Sequence, residues 1–205
     1  LYVIALDTPT DPPDVVDIVV NHTLASPEVP STVEALCVYY ADICAADVAR
    51  LGDGALAQLD EADWHWRPDG EANSIAILVQ HLHGNMLSRW TDFLTTDGEK
   101  PTRERDAEFE PQPLSADDLR ARWEEGWRVC LGAIEALGEG DLARTVRIRG
   151  EPLSVLDAIL RQVSHYAYHV GQIVWIARVR RGAAWKSLSI AKGKSSEHVR
   201  GRYKA

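Results

Sequence analysis

Cysteine is scarce in this chain of 205 residues: Cys37, Cys44 and Cys130 are the only three, well separated and without a C-x-x-C pair. That number excludes a disulfide framework, and that spacing excludes a cysteine-based zinc or dithiol site. The thiols read as reduced, which points to a cytoplasmic compartment. Long apolar runs are missing as well. Stretches such as Ile75 to Val79 fall far short of the roughly 20 residues needed to cross a bilayer, so no membrane partner is expected. The opening LYVIALDTPTDPPDVVDIVV has no basic lead and meets Asp7 and prolines too early for a secretory signal. Without export, the sequon Asn21-His22-Thr23 carries no chemistry. Positive charge is in deficit too: 22 Lys and Arg stand against 31 Asp and Glu, giving a net charge of -9. Such a chain repels a phosphate backbone, and no nucleic-acid partner is expected. Nor is there a Ser-His-Asp ordering, a glycine-rich phosphate loop or an H-E-x-x-H motif to support a protease, nucleotide or zincin reading.

What is present is helical patterning. Residues 1–30 carry Pro9, Pro12, Pro13, Pro27 and Pro30 around one short apolar run and read as a flexible N-terminal arm. From Ser31 the pattern changes, and Ser31 with Glu34 spells a capping box that opens a helix extending to about Leu59 across Gly52 and Gly54. Asn73 is placed to cap SIAILVQHLHGNMLSRWTDFLT, in which Ile75, Leu78, Leu82, Met86, Trp90 and Phe93 recur at helical intervals. Ser115 caps a third helix to about Leu137, with acidic first-turn residues that suit the helix dipole. Thr145 to Arg149 alternates like a short strand. The longest stretch, from about Ser154 to Arg181, is the fourth helix. Four helices without a convincing sheet predict an all-α four-helix bundle over residues 31–182. Residues 183–205 form a C-terminal loop and tail in which six basic residues face Glu197 alone, read as solvated charge. The tryptophans, including Trp90, Trp123, Trp127 and Trp175, are expected to fill the space between helices. Packing is also expected of Tyr166 and Tyr168.

The chemistry lies with histidine. His165 and His169 are four residues apart on the fourth helix, so both rings sit on one face, close enough for one metal ion to bridge. A third ligand must come from another helix, where His81 and His83 are both available. Two residues apart on a helix differ by about 200°, so one of the two looks inward and the other outward, and the spacing alone does not choose between them.

NSIAILVQHLHGNMLSRWTDFLTTDGEKP, HYAYHVGQI and WKSLSIAKGKS together resemble an uncharacterised, metal-binding branch of the DinB-like superfamily, over about residues 31–196. The resemblance implies a four-helix bundle with one divalent ion, zinc or nickel, held by one histidine on the second helix and two on the last. By that match the metal ligands are His81, His165 and His169. His83 stands where the branch more often has a small apolar residue, and Ala191 where it has proline. Similar proteins include metal-dependent transferases that join a low-molecular-weight thiol to a small electrophile, which makes such a transferase the leading expectation; the alternative for this chain is a non-catalytic, stress-associated metal-binding bundle that dimerises. A small-molecule thiol or electrophile is thus the expected partner, with a homodimer as a further expectation.

Around the ligands, Asn85 and Arg89 continue the stripe of His81 along one helix and are candidates for positioning a substrate. Arg161 and Asp157, one and two turns before His165, form a charged stripe read as outer support of the site, and Gln172 is a candidate partner for the second ring nitrogen of a ligating histidine. Glu99, Lys100, Arg103, Arg105, Arg147 and Arg149 lie on loops and read chiefly as solvated charge.

Overall fold

The structure, a computed structural model, describes residues 33–138 and 140–196, with side chains from residue 41 onward except that of residue 43. The N-terminal arm with its sequon, the Ser31–Glu34 capping box and the tail beyond residue 196 lie outside the described residues. The elements run α1 (Val33–Leu56), a single turn α2 (Glu61–Trp64), α3 (Ile75–Trp90), α4 (Ala116–Glu135), β1 (Thr145–Ile148), β2 (Glu151–Ser154) and α5 (Val155–Arg181). The fold is therefore mostly helical, with one antiparallel hairpin in which Thr145 faces Ser154 and Ile148 faces Glu151. The hairpin replaces the lone strand expected at Thr145–Arg149. Among the described residues, no helix is long and apolar enough to cross a membrane.

Each of the four long helices packs against two others: α1 lies on α4 and α5, and α3 lies on the same two. Leu78, Leu82, Met86, Leu119, Ile134 and Ile173 fill the space between them. Three of these helices start behind a serine whose hydroxyl accepts an otherwise unpaired backbone N–H: Ser74 from Ile77 at 3.2 Å, Ser115 from Asp118 at 3.1 Å and Ser154 from Asp157 at 3.0 Å. Each cap is worth about 1 kcal/mol. The α3 cap is thus Ser74 rather than the expected Asn73.

The helix ends are shorter than the apolar pattern suggests. α1 stops at Leu56 although Leu59 is still buried, because the chain turns while its side chains remain in the core. α3 stops at Trp90, since Asp92 takes a φ of +49° and reverses the chain; Phe93 nevertheless stacks back on Trp90 with ring centroids 4.8 Å apart. α4 stops at Glu135, two residues before Leu137.

Gly52 in α1 has a packing reason that periodicity does not show. A Cβ there would overlap the Trp123 ring, whose Nε1 donates to the neighbouring Asp53 carboxylate at 2.6 Å. The missing side chain lets an indole from α4 come up against the backbone of α1. Trp90, Trp123 and Trp127 are buried as expected, but Trp175 and Tyr168 are 58% and 63% exposed, because among the described residues no helix lies against the outer face of α5.

Candidate metal centre

His81 on α3 and His165 and His169 on α5 converge, with one ring nitrogen from each lying within 4.8 Å of the other two. His81 Nε2 and His165 Nε2 are 3.1 Å apart. Two nitrogens bound at about 2.0–2.1 Å to one ion stand about 3 Å from each other, so this spacing suits shared coordination. His81 and His169 are buried.

The outer ring nitrogens are tied. His81 Nδ1 donates to Glu108 at 2.9 Å, and His169 Nδ1 donates to Gln172 Oε1 at 2.9 Å. With Nδ1 donating, each ring keeps an Nε2 lone pair for the centre, which is the tautomer a metal ligand needs. Burial, reinforced by His169, His81 and two arginines beyond them, pushes His165 down to about 3. Burial also lowers His169, although the Gln172 bond opposes it. Both rings are therefore neutral at pH 7, and a proton competes poorly for their lone pairs. His83, two residues from His81, turns to the other side and meets Glu125 of α4 at 2.8 Å.

Glu108 belongs to a short 3-10 turn, Asp106–Phe109, in the irregular segment after α3. Burial raises its carboxyl, but bonds from Arg103 and His81 outweigh that and hold it below the ordinary carboxylate range. The turn can sit so close to α3 because position 84 is glycine: a Cβ there would lie 2.8 Å from Glu108 Cδ. Phe109 from the same turn stacks on His81, with ring centroids 4.5 Å apart.

A cavity of about 300 Å³ opens at the three histidines, also lined by Asn85, Arg89, Phe109, Gln162 and four further arginines. Larger depressions of about 580 and 520 Å³ elsewhere on the surface contain none of the three histidines. Asn85 Oδ1 accepts from the Tyr166 hydroxyl at 3.1 Å, and that hydroxyl accepts from Trp90 Nε1 at 2.8 Å. Tyr166 is thus packed, as expected. Arg89 donates to Gly98 O and, at 2.8 Å, to Glu99. Arg161 reaches the cavity but Asp157 does not: it is exposed at the start of α5 and accepts from the Ser154 hydroxyl at 2.6 Å. The expected Asp157–Arg161 stripe is therefore broken by helix capping.

The loop charges depart most from expectation. Arg103 is 4% exposed and donates to both Glu108 oxygens, at 2.7 and 2.8 Å, so it is not solvated. Arg149 sits at the tip of the hairpin with a φ of +57°, beside Gly150 at +77°. The Asp97 carboxylate accepts the backbone N–H of Arg149 at 2.8 Å and of Gly150 at 2.7 Å, which fixes that tip against the loop after α3. Glu108, Phe109 and Gln162 were not legible as site residues. The polar segment gives no periodic signal, and Gln162 resembles any helix-surface amide until the fold buries it.

The fold and site define a mostly helical protein with a three-histidine cluster, able to hold a metal ion, at the head of an arginine-lined cleft. The chain belongs to the family described as Protein of unknown function (DUF1572), which it matches over residues 40–194, a span that includes every residue of the cleft. No curated protein matches the chain closely enough to show a relationship.

Proposed function

We propose that the chain is a DinB-like four-helix-bundle protein that holds one divalent ion, zinc or nickel, with His81, His165 and His169, and that it transfers a low-molecular-weight thiol to a small electrophile. The observation that carries this reading is the convergence of three ring nitrogens within 4.8 Å at a cleft open to solvent. Among the described residues no fourth histidine, cysteine or carboxylate joins the group, which supports an open coordination position of the kind catalytic sites keep. An ion held there supplies a positive centre that lowers a thiol's pKa towards neutrality.

Neither cysteine with a described side chain can supply the thiol, so it is assigned to a small molecule. Cys130 is fully buried, in surroundings that raise its pKa, and neither it nor Cys44 lines the cleft. In the reaction the thiol gives its proton to solvent water, the sulfur forms the new bond to carbon, and the bond from that carbon to the leaving group breaks, the leaving group departing with its electron pair. Asn85, whose oxygen is already committed to Tyr166, has an amide NH2 left to orient a substrate. Glu108 and Gln172 hold the ligand rings in place, and Phe109 shields one face of His81 from water.

Elemental analysis of the purified protein tests the reading, with His81→Ala compared against His83→Ala. One ion per chain is expected in the parent and in the His83 variant, and none in the His81 variant. Thiol conjugation to a chromogenic electrophile is expected to disappear on chelation and return with zinc or nickel. Full activity after chelation would overturn the transferase assignment.

A further inference from the structure

The cavity at the three histidines is lined by five arginines, Arg89, Arg103, Arg105, Arg149 and Arg161, and by no carboxylate. This is the reverse of the chain as a whole, with its net charge of -9. Two carboxylates stand behind the lining. Glu99 is shared by Arg89, Arg103 and Arg149 at 2.8, 3.4 and 3.2 Å, and Glu108 is divided between Arg103 and His81. Arg105 meets only the fully exposed Asp106, at 3.5 Å. Arg161 has no acidic partner among the described residues. Five guanidinium groups therefore face the cavity, with two partly buried carboxylates, Glu99 and Glu108, behind them.

Two buried polar atoms of the lining are also without partners. Arg89 Nε is a donor with no acceptor, and Gln162 Oε1 is an acceptor with no donor. Both residues are 4% exposed. Leaving such groups unpaired is unfavourable, so a ligand that supplies an oxyanion and a hydrogen-bond donor would satisfy what the fold leaves open.

We propose that the cleft binds a small organic anion, by a carboxylate or phosphate group at Arg105, Arg149 and Arg161, beside the three histidines. The inference rests on the proposed function for the meaning of that place: the anion is one of the two reactants, and its charged end is gripped while its reacting end lies towards the histidines. Arginine suits the task because its planar fork donates two parallel hydrogen bonds to an oxyanion. Phe109, with Arg105 5.2 Å above its ring, gives the anion's carbon skeleton an apolar surface between the two ends.

Calorimetric titration of the full-length protein as purified, at low salt, tests this with succinate, inorganic phosphate and the neutral analogue succinamide. Succinate or phosphate is expected to bind, the tighter of them naming the oxyanion, and succinamide to bind at least tenfold more weakly. Arg105→Gln and Arg161→Gln, both at the exposed rim, are expected to weaken anion binding about tenfold each, with the metal content and the melting temperature of the parent. Succinamide binding as well as succinate, or an unchanged affinity in the double variant, would overturn the proposal; in the latter case the anion would be sitting on the ion. Metal content is measured in the same samples, so the two readings separate. A chain that binds anions but no metal keeps this site and loses the transferase, and one that binds metal without preferring anions does the opposite.

Discussion

The seam between α1 and α4 and the seam between α3 and α5 are built on opposite principles. In the first, Gly52 and Trp123 press an indole against a helix backbone, and a hydrogen bond to Asp53 holds that ring in place. In the second, His81, Asn85, His165 and His169 occupy positions that a core would give to leucine, and His81, Asn85 and His169 each find a specific polar partner. The first seam gains stability from apolar area removed from water. The second depends on matching its polar groups one by one, and it leaves a cavity that the first does not tolerate. A molecule that leaves one seam polar and open needs the other to hold it together.

Substitutions can separate the two. The largest effect on stability is expected at the apolar seam: Trp123→Ala should cost about 3–5 kcal/mol in chemical denaturation and leave metal stoichiometry unchanged. If it also removed the ion, the two seams would be one cooperative unit. Next, Glu108→Ala should weaken metal binding about 10–100-fold in competition with a chelator, with a much smaller change in stability, because it frees the His81 ring without emptying the core. Gly84→Ala should follow in the same direction, since the added methyl pushes Glu108 away from His81.

A smaller effect separates the seams by pH. His165 is held at about 3, below its ordinary 6.5, so between these values the unfolded chain takes up a proton that the folded chain refuses. Stability of the metal-free protein is therefore complete above about pH 6.5 and is lost as the pH falls towards about 3, with His169 contributing in the same sense. Melting temperatures of chelated protein between pH 7.5 and 5 should fall, and those of His165→Gln should fall less. Parallel curves would mean that the ring is hydrated and already able to charge. The smallest effect is expected for His83→Ala, which removes a partly exposed contact to Glu125 and should change stability by less than about 1 kcal/mol.

The apolar framework was largely readable from sequence. The i, i+3, i+4 pattern locates all four long helices, and Ser115 and Ser154 mark two of their starts, because capping and amphipathicity are local. The pair His165 and His169 was equally local. The choice of His81 over His83 was not: both flank the apolar stripe of α3, and only the position of α5 and of the Asp106–Phe109 turn decides which ring faces the site. Arg103 departs from its expected solvation for the same reason, whereas Arg105, Arg147 and Arg149 are exposed. A charge in a polar segment looks solvated until a partner such as Glu108 is brought 2.7 Å away by a segment with no periodicity to announce it. Trp175 and Tyr168 show the reverse error, since aromatic residues at helical spacing suggest burial but do not say which face has a neighbour.

The bond between the Asp97 carboxylate and the hairpin tip bears on timing. Arg149 belongs to a segment about 50 residues further along the chain than Asp97, yet its backbone is already fastened when folding ends. The conformational entropy of bringing that guanidinium to the mouth of the cleft is spent once, as the protein folds, and not again with each arriving molecule. A ligand entering there meets a finished wall rather than a loop that must first settle, and its rate of entry should be set by diffusion and charge rather than by rearrangement.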